Sequence, residues 1–149
     1  MGSQSDYSVM RDCEKILRIL KIKYQVSIVS AHSTPKRMFQ FAASAAKNGF
    51  AVIIAGAGGA AHLQGMVASL ATVPVIGWPI ESNKLKGLDS LLSIVQMPKG
   101  CPTATMAING AFNAGLHAAS IIGTFDLKVR SNLEKWKRLQ TKSVKKKLK

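Results

Sequence analysis

Two histidines stand where a chain of this pattern can carry out acid–base chemistry. His32 lies in "SAHSTP" at 30–35 and His62 in "AGAGGAAHL" at 55–63. Each follows an apolar run and precedes a helix start, and an imidazole can both give and take a proton near neutral pH. A third segment of the same kind, "GSQSD" at 2–6, carries Ser3, Ser5 and Asp6. Helix N-termini present unsatisfied amides and partial positive charge, so these turns suit a phosphate or carboxylate. Three of them on one rim point to a single anion-binding pocket.

Plainer roles stand beside the chemical ones. A lone histidine is more often a hydrogen-bonded structural residue, but two on adjacent sheet-end turns shift the reading towards function. Ser3, Ser5 and Asp6 suit helix capping, and Asp6 equally suits sugar hydroxyls. The glycines from Gly56 to Gly59 match neither the Walker pattern nor the strict dinucleotide fingerprint, and alone they require only close backbone approach. No third ligand accompanies the histidines, so no metal site is expected. Cys13 and Cys101 lack metal-ligand spacing and catalytic context, and no serine sits in a nucleophile elbow. His117 falls within a helix away from the rim and reads as structural.

The elements that must position these turns follow from periodicity. Val9, Met10, Cys13, Ile16, Leu17 and Leu20 recur at helical spacing, giving a capped amphipathic helix over roughly 6–21. "YQVSIV" (24–29) reads as a short β-branched strand. Thr34 and Pro35 open a second helix that Asn48-Gly49 ends. "FAVIIA" (50–55) and "VPVIGW" (73–78) are apolar on both faces, as buried parallel strands are. The glycine-rich turn at 56–65 runs into a helix reaching about Leu70, and Pro79 begins a loop. A short helix is expected near 86–92, a fifth strand at "SIVQM" (93–97), a long helix over 103–122 and a basic helix from Leu127. Strands alternating with helices give a three-layer α/β fold around a parallel sheet, with helices on both faces. The α/β domain is read as 1–127, and 128–149 as a basic C-terminal helix and tail. One strand is missing: "MGSQSD" looks like the turn after a strand that either precedes Met1 or has been lost.

The bulk numbers bound the rest. The chain has 149 residues, 47% of them apolar, enough for one domain with a real core. It shows neither a membrane-spanning apolar run nor a secretory leader, and a cytoplasmic protein is expected. The net charge of +14 is concentrated: residues 128–149 hold ten Lys or Arg against Glu134, whereas residues 1–127 carry only +5. Such a run usually forms a solvated tail, and Trp136 alone gives little for base stacking. A nucleic-acid-binding arm is therefore the weaker reading.

Taken in order, "GSQSD", "SAHSTP", "AGAGGAAHLQGMVA", "PVIGWP" and "SIVQMPKGCPTATMAI" resemble the 5-(carboxyamino)imidazole ribonucleotide mutases of purine biosynthesis, from Gly2 to about Ile122. The resemblance implies a flavodoxin-like fold, a homo-octamer with sites where subunits meet, and chemistry without metal, biotin or nucleotide cofactor. It implies His32 as the catalytic proton shuttle. It places Ser3 and Asp6 at the ribose phosphate, and Ser5, Ser30, Ala31, Ser33, Gly56, Ala57, Gly58, His62 and Leu63 around the substrate. His62 would orient the substrate or the released carbon dioxide. The "AAHL" form looks like the mutase class rather than the related direct carboxylase.

Two departures mark this chain. The family motif reads Ser-Ala-His-Arg-Thr-Pro, and Ser33 stands where the arginine would grip the substrate phosphate. Lys36 or Arg37, one turn on, is a candidate replacement for that charge. The proline expected after "AAHL" is Gln64, a milder change. The expectation is a working but handicapped enzyme, with a non-catalytic remnant of the same fold as the alternative.

Overall fold

The computed structural model describes residues 1–145. The last four residues of the lysine-rich tail, 146–149, lie outside the described residues. Among the described residues three parallel strands pair in chain order: Ile53–Gly58 (β1), Val75–Ile80 (β2) and Ala104–Thr105 (β3). Ile53 lies opposite Val75, and Ile76 opposite Ala104. The helices are Tyr7–Ile19 (α1), Pro35–Ser44 (α2), Leu63–Ala68 (α3), Leu88–Val95 (α4), Ala111–Ile122 (α5) and Leu127–Ser143 (α6), and a 3₁₀ turn at Gln4–Asp6 leads into α1.

Strand alternation explains the layers. Ile76, Trp78 and Ile80 point to one face and are buried against Met10, Cys13 and Leu17 of α1 and Ala111, Ala114 and Ala118 of α5. Val75, Ile53 and Ala55 point to the other, against Met38 and Ala42 of α2 and Leu63 and Val67 of α3. Both sheet faces are thus covered, which is why the strands read as continuous apolar runs. The basic helix α6 joins this core rather than trailing from it. Val129 and Leu133 are buried with Ile16, Leu20 and Ala119, and Asn132 Nδ2 donates to Leu20 O at 2.9 Å. Asp126 caps α6 through the amides of Lys128 (2.8 Å) and Val129 (3.1 Å).

Four expectations change. The stretch 24–29 forms no strand, because a strand exists only against a neighbour and Met1 is the sole main-chain partner found for it among the described residues. The expected strand at 93–97 is largely absorbed by α4: Gly87, Ser90 and Ile94 face inward at helical spacing, and Ser90 Oγ donates to Ile80 O at 2.8 Å. Residues 103–110 do not begin a helix. They lay β3 on the sheet edge, with Met106 N donating to Gly77 O (2.8 Å) and Asn109 N to Pro79 O (2.8 Å). Pro79 itself lies within β2, not in a loop.

Candidate active site

The carboxyl ends of β1 and β2 open onto a cavity of about 610 Å³, where an open parallel sheet places its ligands. Its walls come from the turns singled out by sequence. Ser3, Ser5 and Asp6 come from the turn before α1, and Ser30, Ala31 and His32 from the turn before α2. Ala57 and Gly58 end β1, and His62 and Leu63 open α3; all ten residues line this one cavity.

Its centre is a pair of histidines. His32 Nε2 and His62 Nδ1 lie 2.9 Å apart, with the rings nearly perpendicular at 82°. One of these nitrogens carries the shared proton and the other accepts it, so each ring orients its partner and fixes its tautomer. Both rings are exposed to the cavity. The corner holding His32 is wound by its own hydroxyls. Thr34 Oγ1 accepts from Ser30 N (2.9 Å) and donates to Ser30 O (3.0 Å), while Ser30 Oγ accepts from Ser33 N (3.1 Å). Ser30 thus has a folding role as well as its place on the wall. On the facing turn Ser3 N donates to Asp6 Oδ2 (2.9 Å), and the Ser3 and Ser5 hydroxyls bond at 2.6 Å.

Two of the expected residues are not on the wall. Ser33 is exposed beside His32 but does not line the cavity. Gly56 sits under it: a Cβ there would meet the buried Trp78 ring at 2.3 Å, so packing alone requires glycine. Gln64, read as a mild change, is fully buried. Its amide nitrogen faces Ala61 O (2.9 Å) and its oxygen accepts from Ala57 N (3.0 Å), tying the end of β1 to the turn that carries His62.

Sequence reading missed the fourth wall. Glu81, Ser82 and Asn83 follow β2 and line the cavity. Glu81 is held by Asn109, whose side chain accepts from Glu81 N and donates to Glu81 Oε2, both at 3.0 Å. Ser82 Oγ donates to Asp89 Oδ1 at 2.8 Å, a bond that holds the Asp89 carboxyl below its usual range. No motif marks these residues, but their place after an apolar strand on the same rim was the available signal. Among the described residues the wall carries two carboxylates, Asp6 and Glu81, and no Lys or Arg. Arg37 does not fill that gap, since its guanidinium donates to Ile28 O at 3.3 Å. Among the described residues no three His, Cys, Asp or Glu side chains gather as a metal would need. Burial pushes the Cys13 thiol up to about 12, and Cys101 Sγ donates to Gly65 O at 3.2 Å. Neither cysteine touches the cavity.

A parallel α/β sheet covered by helices on both faces, with paired histidines in a strand-end pocket, defines an enzyme of the flavodoxin-like fold. The chain belongs to the AIR carboxylase family, whose profile matches residues 1–143. It is 51% identical over 146 residues to the N5-carboxyaminoimidazole ribonucleotide mutase of Escherichia coli, covering 97% of this chain and 86% of that one. The enzyme of the same name from Saccharolobus solfataricus is 60% identical over 123 residues, covering 83% and 78%. The crystal structure of Treponema denticola PurE superposes with a TM-score of 0.85 at 25% identity, covering 95% of this chain and 89% of that one.

Proposed function

We propose that this chain is an N5-carboxyaminoimidazole ribonucleotide mutase of purine biosynthesis, moving a carboxylate from the exocyclic nitrogen of the imidazole to ring carbon 4. The observation that carries the reading is the 2.9 Å contact between His32 and His62 inside the strand-end pocket. Breaking the nitrogen–carboxylate bond needs a proton on nitrogen and releases carbon dioxide. Forming the new carbon–carbon bond expels a proton from carbon 4. His32 gives the first proton and recovers the second, so the reaction is balanced without a cofactor. His62 holds the His32 ring and borders the space for the carbon dioxide. The Ser3–Asp6 turn receives the ribose phosphate, with its serine hydroxyls and the amides leading into α1 as donors.

Residues 1–127 carry this chemistry in the proposal, while 128–149 contribute a packing helix and tail. The protein works as a cytoplasmic homo-octamer. Support for assembly comes from α4, where Leu88, Leu92 and Val95 form one stripe with half of each side chain exposed. A wall without a cation also favours a site completed by a neighbouring subunit. Among the described residues no helix is long and apolar enough to cross a membrane.

The test is conversion of 5-(carboxyamino)imidazole ribonucleotide by the purified chain beside its His32→Asn variant. Turnover by the parent and a loss of at least ~10²-fold in the variant are expected. Ser33 favours one other reading, a folded remnant that binds the ribonucleotide without converting it. Absence of turnover in soluble, folded parent protein would select that reading.

A further inference from the structure

We propose that Gln64 is a positioning residue for His62, a buried amide that fixes how that imidazole leaves the sheet and so keeps it in contact with His32. Its effect on turnover rests on the mutase reading above. Its effect on the imidazole pair rests on the geometry of the turn alone.

The turn that carries His62 has little else to hold it. β1 ends at Gly58, and α3 begins at Leu63 and lasts six residues, too short to have much stability of its own. His62 stands at the N-cap of α3 with helical backbone and no side-chain capping bond, so its imidazole is left to the cavity. Inside the turn one main-chain bond, His62 N to Ala60 O at 2.8 Å, is found among the described residues. Among the same residues Gln64 is the one side chain found bonded to the main chain of 57–61. Its oxygen accepts from Ala57 N (3.0 Å) and its nitrogen donates to Ala61 O (2.9 Å). A single amide thus grips the turn where it leaves β1 and again where it reaches His62.

Gln64 is itself locked in place. It is completely buried and lies against Gly77 in β2, where a Cβ would come within 3.0 Å of Gln64 Cγ and 2.7 Å of Ile94 Cγ2. The bare glycine makes the seat, and Ile94 of α4 closes it. An apolar side chain would fill that seat at a lower desolvation cost. A buried amide is stable there only with its donor and acceptor both matched, and both matches are main-chain atoms of the His62 turn. The linkage therefore runs from β2 through Gln64 to Ala61, then to the next residue, His62, and from His62 Nδ1 to His32 Nε2 at 2.9 Å. A shift of about 1 Å in Ala61 would break that last contact, and with it the tautomer each ring imposes on the other. Holding a reacting group through a packed, hydrogen-bonded support is what keeps such a pair in register.

The experiment compares the full chain with Gln64→Met, which keeps the length and near-volume of the side chain and removes both bonds. The chain has three histidines, so NMR of nitrogen-labelled imidazoles reads His32 and His62 against His117, on α5, as the internal reference. In the parent, the two nitrogens at the contact should show one fixed protonated site and one bare site. In Gln64→Met both rings should move towards tautomer-averaged positions while His117 stays unchanged. The kcat should fall about 10- to 100-fold with KM within about twofold. Unchanged His32 and His62 signals in the folded variant, whatever its Tm, would overturn the proposal and leave Gln64 as packing. If the parent shows no turnover, the mutase reading falls, yet the same shift of the imidazole signals would still support the proposal. A second measurement needs no variant. Hydrogen exchange in the parent should be at least ~10-fold slower at the Gln64 side-chain amide than at that of the exposed Gln140. Equal exchange at the two would overturn the proposal even if Gln64→Met does not fold.

Discussion

At the scale of single residues, the proposed site joins two histidines in contact to a wall that, among the described residues, carries no Lys or Arg. His32 and His62 are in contact, yet the corner that should carry a guanidinium carries Ser33. Ser33 takes part in the turn only through its main-chain amide, bonded to Ser30 Oγ, so its side chain can be exchanged without unwinding the corner. The nearby Arg37 is committed to Ile28 O. Ser33→Arg should therefore restore a charged contact worth about 1.5–3 kcal/mol, seen as a KM about 10- to 200-fold lower with kcat nearly unchanged. Steady-state kinetics of both proteins decide this, and equal KM values would remove Ser33 from the explanation. The place of the histidines, the serines and Asp6 on one rim was legible in the sequence because helix starts are local signals. Glu81 and Asn83 were not, since only the pairing of β1 with β2 brings their loop to the rim.

Elements determine how sharply a residue's role can be read. Gly56 and Gly58 look alike in "AGAGG" and, two residues apart, face the same side of β1, but their neighbours on β2 differ, Trp78 beside the first and Ile80 beside the second. A methyl group at Gly56 would sit 2.3 Å from the Trp78 ring, whereas one at Gly58 would rest 3.5 Å from Ile80 O in ordinary contact. Gly56→Ala should cost about 3 kcal/mol of stability through overpacking. Gly58→Ala should leave stability within ~0.5 kcal/mol and act instead on substrate affinity, because Gly58 lines the cavity. Urea denaturation with binding measurements separates the two, and equal unfolding midpoints would contradict the packing assignment. The same dependence on neighbours limited the reading of 24–29 and 93–97. The first has β-branched residues but no adjacent strand, and the second has an apolar run that α4 uses with a period of 3.6, burying Ile94 completely. The helix–strand alternation survived these errors because its strongest signals, α1, β1, β2 and α5, are each long or strongly apolar.

On the scale of the whole molecule, charge and apolar surface are distributed unevenly. Ten of the 21 basic residues lie beyond residue 127, while among the described residues the charged groups on the cavity wall are Asp6 and Glu81. A phosphate ester entering that wall would meet helix amides and hydroxyls but, among the described residues, no Lys or Arg. The stripe formed by Leu88, Leu92 and Val95 begins just beyond Ser82, which both lines the cavity and bonds to Asp89 at the start of α4. A subunit packed on that stripe would therefore sit close to the mouth of the site, where its charges can supplement the grip. Leu88→Glu with Leu92→Glu should leave the monomer fold intact, since both side chains are half exposed and face away from the core. Sedimentation velocity should show the assembly falling to smaller species, and kcat/KM should fall with it. If sedimentation is unchanged, α4 does not form the interface. If the assembly dissociates while kcat/KM holds, each subunit carries a complete site, and the missing cation has to be sought within the chain itself.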